Sequence, residues 1–184
     1  MLFFLSLIGV KLLDDILSRS REVRYITTQK YSECQLVAAI NAFYFHGGRE
    51  VTEEEYESLV DIVGARHGSA IDIGRAYRIL GLKPFCIPPF YWILRLFLWL
   101  RFPVEVGMYH KRLGLHTILI AGGKGRKVLA LNARLSPDEW VKWRDLKGAI
   151  RKGNKRNIGP SHGWFRVIRR IGVDKLYGMG EVKI

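Results

Sequence analysis

The stretch from Phe102 to Leu131 constrains this chain more than any other. Phe102-Pro-Val-Glu-Val-Gly-Met-Tyr-His110 and Leu115-His-Thr-Ile-Leu-Ile-Ala121 are strand-length runs rich in β-branched residues. Gly122-Gly-Lys-Gly125 then leads into a third such run, Arg126-Lys-Val-Leu-Ala-Leu131. Strands joined by connections this short pair antiparallel. If Gly123-Lys124-Gly125 forms a three-residue loop, with Gly125 left-handed, Gly122 pairs with Arg126 and His116 falls opposite Asn132. Directly paired residues share a face and lie within about 5.5 Å, so Asn132 is placed to orient the imidazole. A two-residue loop would break that match.

Upstream, Gln29-Lys-Tyr-Ser-Glu-Cys34-Gln-Leu-Val-Ala-Ala-Ile-Asn41 places a cysteine in the first turn of a strong helix. Ser32 and Gln35 form the S-x-x-Q capping box, which predicts Ser32 as the N-cap and Cys34 as the second helical residue. Unpaired N–H groups and the helix dipole there favour a negative charge, so the spacing predicts a lowered thiol pKa. Gln29, five residues upstream, is placed to aim its amide N–H at an oxyanion forming beside the sulfur. His116 is the expected base. His110, its nearest rival, ends the preceding strand with no obvious polar orienter. His46, His67 and His162 read as a helix C-terminal, a loop and a strand-opening residue. No histidine has metal-ligand spacing to the cysteines, so neither a metal nor a cofactor is expected.

The order Cys34, His116, Asn132 is that of papain-like enzymes. The chain resembles a papain-like cysteine peptidase, most closely the bacteriocin-processing C39 family and its C39-like relatives, over about residues 23 to 170. The matching stretches are Gln29 to Cys34, Gly68-Ser-Ala-Ile to Gly81-Leu82, and Pro103-Val104 leading to His116. Asn132-Ala133 stands where the family usually has Asp-Pro, and Gln35 replaces the glycine that commonly follows the nucleophile. The resemblance implies an α+β papain-like fold, a helical lobe with an N-terminal nucleophile helix packed on an antiparallel sheet. It implies Cys34, His116 and Asn132 as catalytic residues, Gln29 as oxyanion donor, and a peptide or protein substrate. The departures allow a second reading, a catalytically degenerate papain-like scaffold that binds an anionic partner.

Elsewhere the pattern predicts a helix over 34–45 with Leu36, Ala39, Ile40 and Phe43 on one face, stopped by Gly47-Gly48. Thr52 and Glu55 form another capping box that opens an acidic helix to about residue 63. A third helix is expected from about Ser69 to Leu80, and a last strand over Trp164 to Arg170. Tyr91 to Leu100 lies between Pro88-Pro89 and Pro103 and is too short to span a bilayer, so a buried helix is expected. Its functional use would be a substrate wall or a membrane-surface contact, with Trp92 and Trp99 expected not to share one helical face. Residues 1–22 read as an apolar helical extension to a 23–184 domain. They have no basic n-region, so a signal peptide is not expected.

At 184 residues the chain suits one domain, and its two cysteines make no disulfide framework. Cys86, between Phe85 and Ile87, reads as a buried apolar residue. A thiolate enzyme needs Cys34 free, which points to a reducing, cytoplasmic compartment, with peripheral membrane association left open. The six Asn and Gln residues, with abundant charge, suggest a thermophile. The net charge is +13, and Trp140 to Arg170 holds ten Lys or Arg against Asp145 alone. Such a face could attract nucleic acid or an anionic lipid surface, though no zinc-finger or RNA-recognition spacing supports the former.

Overall fold

A computed structural model describes residues 25–27, 29–31, 33–66, 72–136, 139–156 and 165–172. The 1–22 extension, Ser32, His67 and His162 lie outside the described residues. Five helices and six strands are described: α1 (Cys34–Phe45), α2 (Glu53–Val63), α3 (Ile73–Ile79), β1 (Leu82–Ile87), α4 (Tyr91–Trp99), β2 (Val104–His110), β3 (Gly114–Lys124), β4 (Lys127–Leu131), β5 (Trp140–Lys142), α5 (Trp143–Arg156) and β6 (Phe165–Arg170). The strands form one open antiparallel sheet in the order β1-β6-β2-β3-β4-β5. The chain is therefore α+β.

The pleat separates two apolar cores. Leu119 and Leu131 point with Leu82 and Ile168 toward α1, α2 and α3. Ile118, Ile120, Ala130 and Val106 point with Leu94 of α4 and Leu146 and Ile150 of α5 to the other face. The expected one-sided stripe on α1 is an underestimate, because every residue from Leu36 to Tyr44 is buried. A helix apolar all round belongs inside, and α1 lies between the sheet and α2 and α3. At α2 the expected capping box is present: Thr52 accepts from the Glu55 N–H and the Glu55 carboxylate accepts from the Thr52 N–H. The third helix begins later than expected because Asp72 caps it by accepting from the Arg75 N–H.

The hairpin differs from expectation in a way that matters for the site. Lys124 pairs with Lys127 across a two-residue turn, Gly125-Arg126, in which Gly125 takes a left-handed φ of +59°. A bulge between Ile120 and Gly122 then shifts the register, so Leu131 pairs with Leu119. Continued one step, the ladder would set Asn132 beside Ile118 rather than His116. The slip is an even number of residues, so the two keep the same face.

Helix α4 departs further. Only Leu94 is buried, while Trp92 and Trp99 are 67 and 76% exposed, so the buried-helix expectation fails. Seven residues is close to two full turns, which puts both indoles on one face, contrary to expectation. Cys86 is also exposed rather than buried, because it alternates with the inward-facing Ile87 on edge strand β1. Of the expected 140–170 basic face, Lys142, Arg144, Arg151, Lys152, Arg169 and Arg170 are exposed, and the side chains of Lys155 and Arg156 lie outside the described residues. Arg166 is half-buried in an ion pair with Glu105, Lys147 lies over the Tyr91 ring at 4.7 Å, and Arg170 donates to the His46 carbonyl.

Helix α5 crosses β2 where Gly153 is buried. A Cβ added there would stand 3.0 Å from the Met108 Cα and carbonyl carbon, backbone atoms that cannot turn aside. Gly153→Ala should therefore lower stability by roughly 1–3 kcal/mol, the range of an overpacked core site. A denaturant melt checks it. An unchanged midpoint would show that α5 can lift off β2 without cost.

Candidate functional site

The four expected site residues gather where β3 begins, β4 ends and α1 begins. They arrive as two separate strings of contacts.

The first string contains His116, Asn132 and Gln29. His116 is 4% exposed and its Nε2 lies 2.7 Å from the backbone carbonyl of Asn132. A carbonyl only accepts, so Nε2 carries the proton and Nδ1 keeps its lone pair. No hydrogen bond reaches Nδ1 among the described residues. Asn132 sits at φ +62°, a left-handed position that asparagine tolerates better than most residues. This turn ends β4 and aims the carbonyl at the imidazole despite the slipped register. The expected partner was the Asn132 side chain; the observed one is its backbone. The side-chain Nδ2 donates instead to Gln29 Oε1 at 3.2 Å, and Asn132 Oδ1 is buried without a partner among the described residues. Gln29 in turn donates from Nε2 to the Tyr31 carbonyl at 2.8 Å, which leaves its second N–H unused among the described residues.

The second string contains Cys34 and Thr117. Cys34 is the first residue of α1 and the N-cap is Glu33, whose side chain makes no capping bond, so Cys34 stands one place earlier than expected. The expected depressed thiol pKa is not found. Burial pushes the Cys34 thiol above its ordinary 9.0, hydrogen bonds with Thr117 pull the other way, and the Glu105 carboxylate adds to the rise. The Gln35 N–H in the first turn of α1 also lowers the pKa, but desolvation is the larger effect. Cys34 and His116 share no hydrogen bond among the described residues. The ladder pairs His116 with Met108 and Thr117 with Gly107. Alternation along β3 then groups His116 with Ile118 on the α4 and α5 face, and Thr117 with Leu119 on the α1 face. The expected direct Cys–His pair is thus replaced by contacts to neighbouring residues of one strand.

Burial also lowers the His116 pKa below its ordinary 6.5, with the Asn132 carbonyl opposing and the positive charge of Arg134 adding to the drop. Near neutral pH the two groups are therefore a thiol and a neutral imidazole.

Two contributors were not foreseen. Glu33 is fully buried, and its Oε1 accepts from the Lys30 N–H at 2.7 Å and the Tyr56 hydroxyl at 2.6 Å, tying the Gln29 segment to α1 and α2. Its signal was an acid directly ahead of a largely apolar helix. Thr117 was legible only as a hydroxyl within an apolar strand. His110 is occupied otherwise, its Nδ1 accepting from the N–H groups of Arg112 and Leu113 in the β2–β3 turn. His46 bonds the Ile168 carbonyl at 3.0 Å. Among the described residues no group of His, Cys, Asp and Glu could hold a metal ion.

No protein-family model matches this chain, and no curated protein matches it.

Proposed function

We propose that this chain is a papain-like, C39-like thiol hydrolase acting on a peptide or other amide, with Cys34 as nucleophile and His116 as base. The observation that carries the reading is the buried imidazole: Asn132 holds Nε2, Nδ1 is left as acceptor, and the adjacent residue Thr117 touches Cys34. A fixed tautomer with one open lone pair is what a general base requires.

Cys34 and His116 rest on opposite faces of β3, so the proposed reaction requires the thiol to leave Thr117 and reach Nδ1 around the β3 start. There it passes its proton to His116 Nδ1 as the sulfur bonds the substrate carbonyl carbon. The second N–H of Gln29 and the Cys34 N–H stabilise the oxyanion. The tetrahedral adduct then expels the amine, which takes the proton from Nδ1, and leaves a thioester. Water, deprotonated by the same nitrogen, hydrolyses the thioester to a carboxylate and restores the thiol. Because both groups rest neutral, proton transfer accompanies attack instead of preceding it.

One observation favours a second reading. Cys34 is engaged by Thr117 and not by His116, as in a scaffold that has lost thiol chemistry and binds a partner. A peptide-like electrophile that needs an activated thiol, followed by mass mapping, separates the two. The hydrolase reading expects labelling of Cys34 at neutral pH and little at Cys86, with amide cleavage lost in a folded Cys34→Ala variant. Labelling of exposed Cys86 alone would overturn it.

A further inference from the structure

We propose that the exposed face of α4, together with the β3–β4 turn, docks on an anionic lipid membrane. This does not rest on the thiol reading. Among the described residues nine large apolar side chains are exposed, and five of them, Phe90, Trp92, Leu96, Trp99 and Leu100, belong to this one short segment. Trp92, Leu96 and Trp99 are spaced i, i+4, i+7 and form a single stripe opposite buried Leu94. A monomer rarely leaves so concentrated an apolar patch in water without a use for it.

The surroundings choose the partner. An open groove separates α4 from the β3–β4 turn and the start of α5, and Arg95, Arg126, Lys127, Lys142 and Arg144 line it with no acid among them. Asp145 lies 3.7 Å from Arg144 and does not line the groove. An apolar crest carrying indoles, bordered by long cationic side chains, is the composition of an interfacial segment: the rings enter the acyl boundary and the cations reach anionic headgroups. A nucleic acid would use the cations and could stack on the indoles, but it would set its phosphates against Phe90, Leu96 and Leu100. The lipid surface uses both parts of the patch. With nine residues α4 is about 14 Å long, so it lies in the interface plane. No helix among the described residues is long and apolar enough to cross a membrane. Thr117 and Gly125 are separated by eight residues of extended chain, about 26 Å, so docking would leave the Cys34 end of the sheet away from the lipid.

The test is co-sedimentation of the full chain with phosphatidylcholine vesicles, with and without phosphatidylglycerol, at several salt concentrations. Partitioning is expected on the anionic vesicles and should weaken as salt rises. Trp92→Ser with Trp99→Ser should reduce it by roughly tenfold or more. Arg126→Ser and Lys127→Ser should each reduce it by about fivefold. All four side chains lie at the surface, and an unchanged unfolding midpoint verifies that each variant folds. Partitioning unchanged in the double Trp variant, or equal on neutral vesicles, would overturn the proposal. So would tighter binding to a single-stranded oligonucleotide than to anionic vesicles, lost in the same Trp variant, because the face would then be a nucleic-acid surface.

Discussion

His116→Ala is expected to lower amide turnover by about 10²- to 10⁴-fold, the range that a positioned general base supplies. The variant also leaves the Asn132 carbonyl without its donor, at a cost of roughly 1–3 kcal/mol, so turnover must be compared at a temperature where both proteins are folded. The pH profile separates a base from a structural prop. The His116 pKa lies below 6.5, so the imidazole stays unprotonated into mild acid and the acid limb of the parent profile should fall below that pH. In the variant that limb should vanish. Only once the pH exceeds the Cys34 pKa, which itself lies above the ordinary 9.0, does ionisation no longer need a base, and there alkylation of variant and parent should converge. An acid limb above 6.5 would mean that another group titrates. The same shift acts on stability. As pH falls below 6.5 the unfolded chain takes up the His116 proton before the folded one, so stability should decline through that window and level off below the folded pKa.

Arg166→Ala should destabilise the fold by about 3–5 kcal/mol, because it strands a buried carboxylate. Glu105 is 3% exposed, lies 3.3 Å from Arg166 Nη1, and also accepts from the Tyr77 hydroxyl. Burial pushes the Glu105 pKa up, opposed by Arg166 and Tyr77, so removing the guanidinium raises it further. The sign follows. Above 4.5 the unfolded chain releases this proton first, so the defect should be largest near neutral pH and shrink as pH falls toward 4.5. Thermal melts across that range check it. Glu105→Leu combined with Arg166→Met should recover most of the loss, since a well-packed apolar pair avoids the desolvation of both charges. A defect that is the same at every pH would show that Arg166 acts through packing alone.

How much of the site was legible differs residue by residue. The bounds of α1 and α2 were readable because their signals are local: a glycine pair after Phe45, and a Thr-Glu capping box before an acidic amphipathic run. The approach of His116 to Asn132 was readable as well, because short connections force antiparallel neighbours and alternation puts both residues on one face. Its chemistry was not. The turn has two residues instead of three, a bulge at Ala121 restores the shared face but not the direct pairing, and a left-handed Asn132 supplies its carbonyl where the side chain had been expected. Strand β1 and the short β5 carried weak periodic signals and were not anticipated; helix α5 was missed although Leu146, Ile150 and Gly153 recur at helical spacing, and these elements decide what covers the sheet.

By itself the sequence determined the α+β class, the position of Cys34 at the start of a buried helix, and the neighbourhood of Gln29, His116 and Asn132. These follow from periodicity, capping and turn chemistry acting over a few residues. Only the tertiary structure decided that the Cys34 thiol meets Thr117, that its pKa goes up and not down, and that Trp92 and Trp99 face outward. Those outcomes depend on which face of β3 meets α1 and how deeply each group is buried, and desolvation is set by atoms distant in sequence.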